Sequence, residues 1–148
     1  MVKFKTAFKI SNLYWPTFIE QNEAIFLESA LKNSYGIPED PMAAECFVNS
    51  IHLLDIFKND ASIDTEPYWD FEHPDFTAAY ELTIKISEMW ASKLSKDFPQ
   101  YKFVIICTKY DNPMIRFHKL REDGNLYFNP ADWSEEIKNG SVKIINVG

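Results

Sequence analysis

The sequence predicts an α+β fold, with a mainly antiparallel four-to-five-stranded sheet and three main helices packed on one face. Three observations predict it. Apolar runs of strand length lie near both ends of the chain, helix-spaced apolar stripes lie between them, and Pro, Asn or Gly marks most junctions. With 148 residues, 46% of them hydrophobic and 16% aromatic, the chain suits one globular domain over 1–148. A domain of this size can bury enough surface to hold a core without a metal or a disulfide.

Residues 3–10 alternate Phe4, Thr6, Phe8 and Ile10 with lysines, the pattern of a half-buried strand with a lysine-rich edge. Trp15-Pro16 interrupts it. Thr17-Phe18-Ile19-Glu20 then has capping-box form, so a helix is expected over Ile19, Phe26, Leu27, Ala30 and Leu31, closing near Gly36. Asp40-Pro41 is a second helix start, because Asp accepts from first-turn amides and Pro loses nothing at the first position. Ala44, Phe47, Val48, Ile51, Leu54 and Phe57 extend its stripe to about Asn59.

From 60 to 75 the chain is a long acidic and aromatic connection, and loops of that length in compact domains are usually functional. Pro74 and Asp75 open the longest helix, roughly 74–97, with Leu82, Ile86, Met89, Trp90 and Leu94 along one stripe. After Pro99, the run Phe103-Val104-Ile105-Ile106 reads as a strand buried on both faces. A turn at Asp111-Asn112-Pro113 joins it to 114–121 as a hairpin. Leu126-Tyr127-Phe128 is a short possible strand, Asp132 to Glu135 starts a short helix ending at Gly140, and 142–147 is a last strand.

The net charge of -7 is unevenly spread: 20–75 carries thirteen acids against Lys32 and Lys58, whereas 76–121 carries eight bases against four acids. An acidic chain repels polyanions, so nucleic acid is disfavoured as a partner. No apolar run approaches the ~20 residues of a membrane span, and residues 1–10 do not read as a signal peptide. Cys46 and Cys107 stand far apart in apolar surroundings, which suits a reducing, cytoplasmic setting and two inert packing thiols. Glycines at 36, 124, 140 and 148 alone cannot form a phosphate-binding loop or a dinucleotide fingerprint, so no cofactor is expected.

No metal site is expected either. His52 with Asp55 fits a surface histidine beside an acid better than a ligand pair, and His73 among Asp70, Glu72 and Asp75 fits helix capping better than a cation loop, since EF-hand spacing is missing. Catalytic residues are not identifiable. Two binding readings follow. The first is a non-enzymatic, immunity-type or inhibitor-type protein that docks on a basic protein partner through Asp64, Glu66, Tyr68, Trp69, Asp70 and Glu72, acids steering the encounter and rings holding it. The alternative is a small anionic-ligand or enzymatic site around Arg116, His118 and Arg121, with Tyr110 and Asp111 at the hairpin tip. Period two sets Arg116 and His118 about 7 Å apart on one strand face, although such a pair also suits a structural ion pair with a core-edge acid. A lysine-rich strand edge is compatible with a monomer or a homodimer.

Overall fold

The computed structural model describes residues 4–57, 72–110 and 112–148. It is α+β, with a four-stranded antiparallel sheet of order β3-β5-β4-β6 and a separate two-stranded hairpin, β1-β2. The sheet strands are β3 (Ile51–His52), β4 (Lys102–Thr108), β5 (Met114–Leu120) and β6 (Val142–Val147). β4 and β5 pair from Lys102↔Leu120 to Thr108↔Met114. The expected hairpin around Asn112-Pro113 and the expected last strand are both present.

Three helices gather on one sheet face. α5 (Pro74–Asp97) lies along β4, β5 and β6, and α1 (Phe4–Tyr14) and α4 (Leu53–Phe57) pack against α5. Pro74 sits in the first turn of α5, and the His73 imidazole, not Asp75, caps it: the Asp75 amide donates to His73 Nδ1 at 3.1 Å. Trp90 is fully buried and its indole N–H donates to the Leu13 carbonyl at 2.7 Å. The rings of Phe18, Trp90 and Phe117 meet edge to face at 5.4–5.9 Å, a geometry that adds to the burial of their area. Phe103, Ile105, Cys107 and Ile115 complete this core.

Four expectations are corrected. Residues 4–14 form α1 and not a strand: Ile10, Leu13 and Tyr14 recur at helical spacing, and the latter two pack on the core while Phe4 and Phe8 stay exposed. The helix expected from Thr17 is the hairpin β1 (Phe18–Gln21) and β2 (Ala24–Leu27). Asn22 and Glu23 take φ of 52° and 65°, the left-handed pair that a two-residue hairpin turn demands. Only α2 (Glu28–Lys32) of that stretch is helical.

The helix expected over 41–59 begins as anticipated, with the Ala43 amide donating to Asp40 Oδ2 at 2.8 Å, but it ends early. α3 (Pro41–Val48) stops at Asn49, and β3 and α4 follow. Last, 126–128 is not a strand. A 3-10 turn at Pro130–Trp133, capped by Asn129 rather than Asp132, precedes α6 (Ser134–Lys138).

The early stop of α3 has a clear cause. Glu45 and Asn49, one helical turn apart and both fully buried, project into the gap between β2 and β5. Glu45 accepts from the Ile25 amide at 2.9 Å, the Lys119 amide at 3.0 Å and the Arg121 guanidinium at 3.0 Å. Asn49 accepts from the Leu27 amide at 2.9 Å, donates to the Ile25 carbonyl at 2.8 Å and reaches the Phe117 carbonyl at 3.5 Å. Two side chains thus satisfy the backbone groups that a direct β2–β5 ladder would pair.

Candidate anion-binding cleft

Strand alternation turns Val104, Ile106, Arg116 and His118 away from α5. Near the hairpin tip this second face carries a cleft of about 660 Å³. Its floor is Ile106, Thr108, Met114 and Arg116, and its wall is the segment that crosses back over the sheet, from Leu126 through Trp133. Phe128 and Trp133 stack at 5.1 Å and 24°, and Tyr110 lies 6.2 Å from Trp133.

Arg116 stands at one end. Its guanidinium carbon is 5.1 Å from the Tyr127 ring centre, within cation–π range. One terminal nitrogen reaches Ser50 Oγ at 3.5 Å and Met114 Sδ at 3.7 Å, both long. Its Nε is buried with no hydrogen-bond partner, and no carboxylate among the described residues pairs with Arg116. That is unusual, since a partly buried cation is normally paired or hydrogen-bonded. A smaller cavity of about 380 Å³, lined by Cys46, Phe47 and Ser50 among others, adjoins the cleft and shares His52, Arg116 and Tyr127 with it.

The other residues of the anticipated Arg/His site are dispersed. His118 shares the strand face with Arg116 but is fully buried and does not line the cleft. Its Nδ1 is 3.0 Å from the Lys119 carbonyl, so that nitrogen carries the proton, and its Nε2 is buried without a partner. Burial pushes the His118 pKa below its ordinary value against the pull of Glu45. Arg121 is held by Glu45 and by the carbonyls of Lys119 and Glu23. Tyr110 lines the cleft beside Arg116. Asp111 lies outside the described residues.

Of the acidic docking surface, Asp64, Glu66, Tyr68, Trp69 and Asp70 also lie outside the described residues; Glu72 is exposed at the head of α5. The pattern of Leu126-Tyr127-Phe128 reads as a short strand with no link to Arg116, and Trp133 has no assigned role in the sequence pattern. The available signal was the density of rings over 126–133, with Pro130 and Gly124 marking a non-regular path.

A larger groove of about 820 Å³ lies at the other end of the sheet, lined by Glu20, Tyr101, Lys119 and Arg121 among others. Several of its polar groups are already engaged. The Tyr101 hydroxyl donates to Glu20 at 2.7 Å, Lys119 sits 4.2 Å over the Tyr101 ring, and Arg121 is paired with Glu45. The Glu20 bond raises the Tyr101 pKa. Size alone therefore does not select the site.

The thiols are inert. Burial pushes Cys46 up to about 12 and Cys107 up to about 11, and a protonated thiol is a poor nucleophile. Among the described residues no cluster of three His, Cys, Asp or Glu side chains could hold a metal ion, and no helix is long and apolar enough to cross a membrane.

Fold and cleft together define an α+β protein with an arginine-ended aromatic cleft on the sheet face opposite its main helix. A family model described as the Uncharacterized protein PM0498 family matches residues 5–144. The chain belongs to that family. No curated protein and no solved structure matches it.

Proposed function

We propose that this protein binds a small anionic ligand in the cleft at Arg116. One observation carries the reading: a partly buried guanidinium, unpaired with any described carboxylate, lines a cavity of small-molecule size walled by Tyr110, Tyr127, Phe128 and Trp133, with Asp132 as the one carboxylate among its described lining residues. Arg presents fixed N–H donors that match carboxylate or phosphate in one plane. Tyr127 supports its face, and with Nε enclosed and one terminal nitrogen directed at Ser50 and Met114, the other terminal nitrogen is the donor left for an acceptor. The role is recognition, with Arg116 and Tyr110 as the retained residues of the Arg116/His118/Arg121 site.

The test is thermal unfolding with phosphate, benzoate and phenyl phosphate. A ligand at a hundredfold excess over its Kd stabilises the folded state by about 2.7 kcal/mol. At least one of these anions is expected to raise the Tm of wild type and leave Arg116→Leu unmoved. No shift with any of the three, or equal shifts in the variant, overturns the reading.

The immunity-type docking reading is favoured by a different observation, the thirteen acids against two lysines over 20–75. For that reading, Trp69→Ala with Asp70→Ala should leave the Tm unchanged and abolish retention on a cation-rich protein partner. Retention by the double variant equal to wild type sinks it.

A further inference from the structure

The cleft is built for more than a charge. We infer that its ligand is an aromatic acid, one planar ring bearing a carboxylate or phosphate, with the anion on Arg116 and the ring along the Tyr110–Trp133–Phe128 wall. This rests on the anion-binding reading above and narrows it to a chemical class.

Three features carry the narrowing. First, the volume of about 660 Å³ far exceeds what an inorganic anion fills, since a water takes only about 30 Å³ of liquid volume. Second, the apolar surface is ordered along the strands. Arg116 and Met114 are two residues apart on β5, so Met114 lies about 7 Å nearer the hairpin tip. Thr108 pairs with Met114, and Tyr110 lies two residues beyond Thr108. An anion held by Arg116 therefore places a directly attached ring over Met114 and Ile106.

Third, the same cleft is lined by rings. Phe128 and Trp133 form a near-parallel stack, and Tyr110 leans on Trp133 at 44°. Rings in such walls offer offset or edge contacts to a further ring, and the Met114 sulfur on the floor favours an aromatic neighbour. An aliphatic acid would use the charge and forgo this wall. A neutral ring would use the wall and forgo the charge of Arg116.

Isothermal titration of the full chain with phosphate, phenol, benzoate and phenyl phosphate separates the claims. The expected result is that benzoate or phenyl phosphate binds at least tenfold more tightly than either phosphate or phenol, the tighter of the two naming the headgroup. Arg116→Leu should reduce the acid to the level of phenol, and Trp133→Leu should weaken the acid at least fivefold while leaving phosphate unchanged. Circular dichroism of each variant checks the fold, and Tyr110→Leu replaces Trp133→Leu should the latter not fold.

If phosphate binds as tightly as both aromatic acids, with wall substitutions silent, the aromatic inference fails while the anion reading stands. If phenol matches the acids, or Arg116→Leu binds them like wild type, both fail.

Discussion

The two faces of the four-stranded sheet are made by alternate residues of the same strands, yet they do opposite things. On the α5 face, Phe103, Ile105, Cys107, Ile115 and Phe117 are sealed beneath Trp90, Ile86 and Phe18, with the four rings in edge-to-face contact. On the other face, Ile106, Thr108, Met114 and Arg116 floor an open cleft, and a cation stands where packing would prefer carbon. The lesson is that one strand can carry stability and recognition at once. Period two assigns Ile115 and Phe117 of β5 to the first and Met114 and Arg116 to the second.

Substitutions can break or sharpen this contrast. The largest effect is expected at Trp90→Ala, which removes a fully buried ring and its bond to the Leu13 carbonyl. It should cost about 3–5 kcal/mol in urea unfolding. A loss below 1 kcal/mol would mean that the α5 face is not the stabilising one.

Glu45→Gln comes next. It removes the charge opposing Arg121 and leaves one acceptor fewer for the Ile25 and Lys119 amides, for about 1.5–3 kcal/mol. Glu45→Gln as stable as wild type would show that the hairpin does not depend on this carboxylate.

His118 gives a pH-dependent effect on the buried part of the second face, outside the cleft. Its folded pKa lies below the unfolded value of 6.5 because protonation would place a charge on a buried, unpartnered Nε2. Its stabilising contribution is complete above about pH 6.5 and is lost as pH falls from there through the depressed folded pKa, at no more than about 1.4 kcal/mol per pH unit. His118→Gln should flatten that part of the stability profile. An unchanged slope in the variant would assign the titration elsewhere.

The smallest stability effect is expected at Arg116→Leu, within about 1 kcal/mol of wild type, because a cation with no ion-pair partner among the described residues contributes little to folding. Destabilisation comparable to Trp90→Ala would make Arg116 a structural residue and erase the distinction between the faces.

Much of this was legible in the residues. Pro74 and the stripe ending at Leu94 defined α5, the apolar run after Tyr101 defined β4, and Asn112-Pro113 defined the turn into β5. Two of the misreadings have separate causes. At 18–27 the turn is Asn22-Glu23 instead of an Asn-Gly pair, so the local turn signal was weak and Thr17 with Glu20 imitated a helix start. At Asn49 the apolar spacing continues, but the helix ends where the Asn49 side chain bonds β2, a contact set by tertiary structure. Arg116 and Tyr110 were visible as site candidates from strand position. Their neighbours Tyr127, Phe128 and Trp133 were not, because only the path of 121–133 back across the sheet brings them there.

The Glu45–Asn49 pair has one more consequence. Beyond its two pairings with β3, the outer side of β5 would be an exposed rim of amides and carbonyls, the sort of template onto which strands of other molecules add. With carboxylate and carboxamide groups already occupying the Lys119 amide and the Phe117 carbonyl, this stretch is closed to such recruitment. α3 thereby covers this part of the β5 edge as well as anchoring the β1-β2 hairpin.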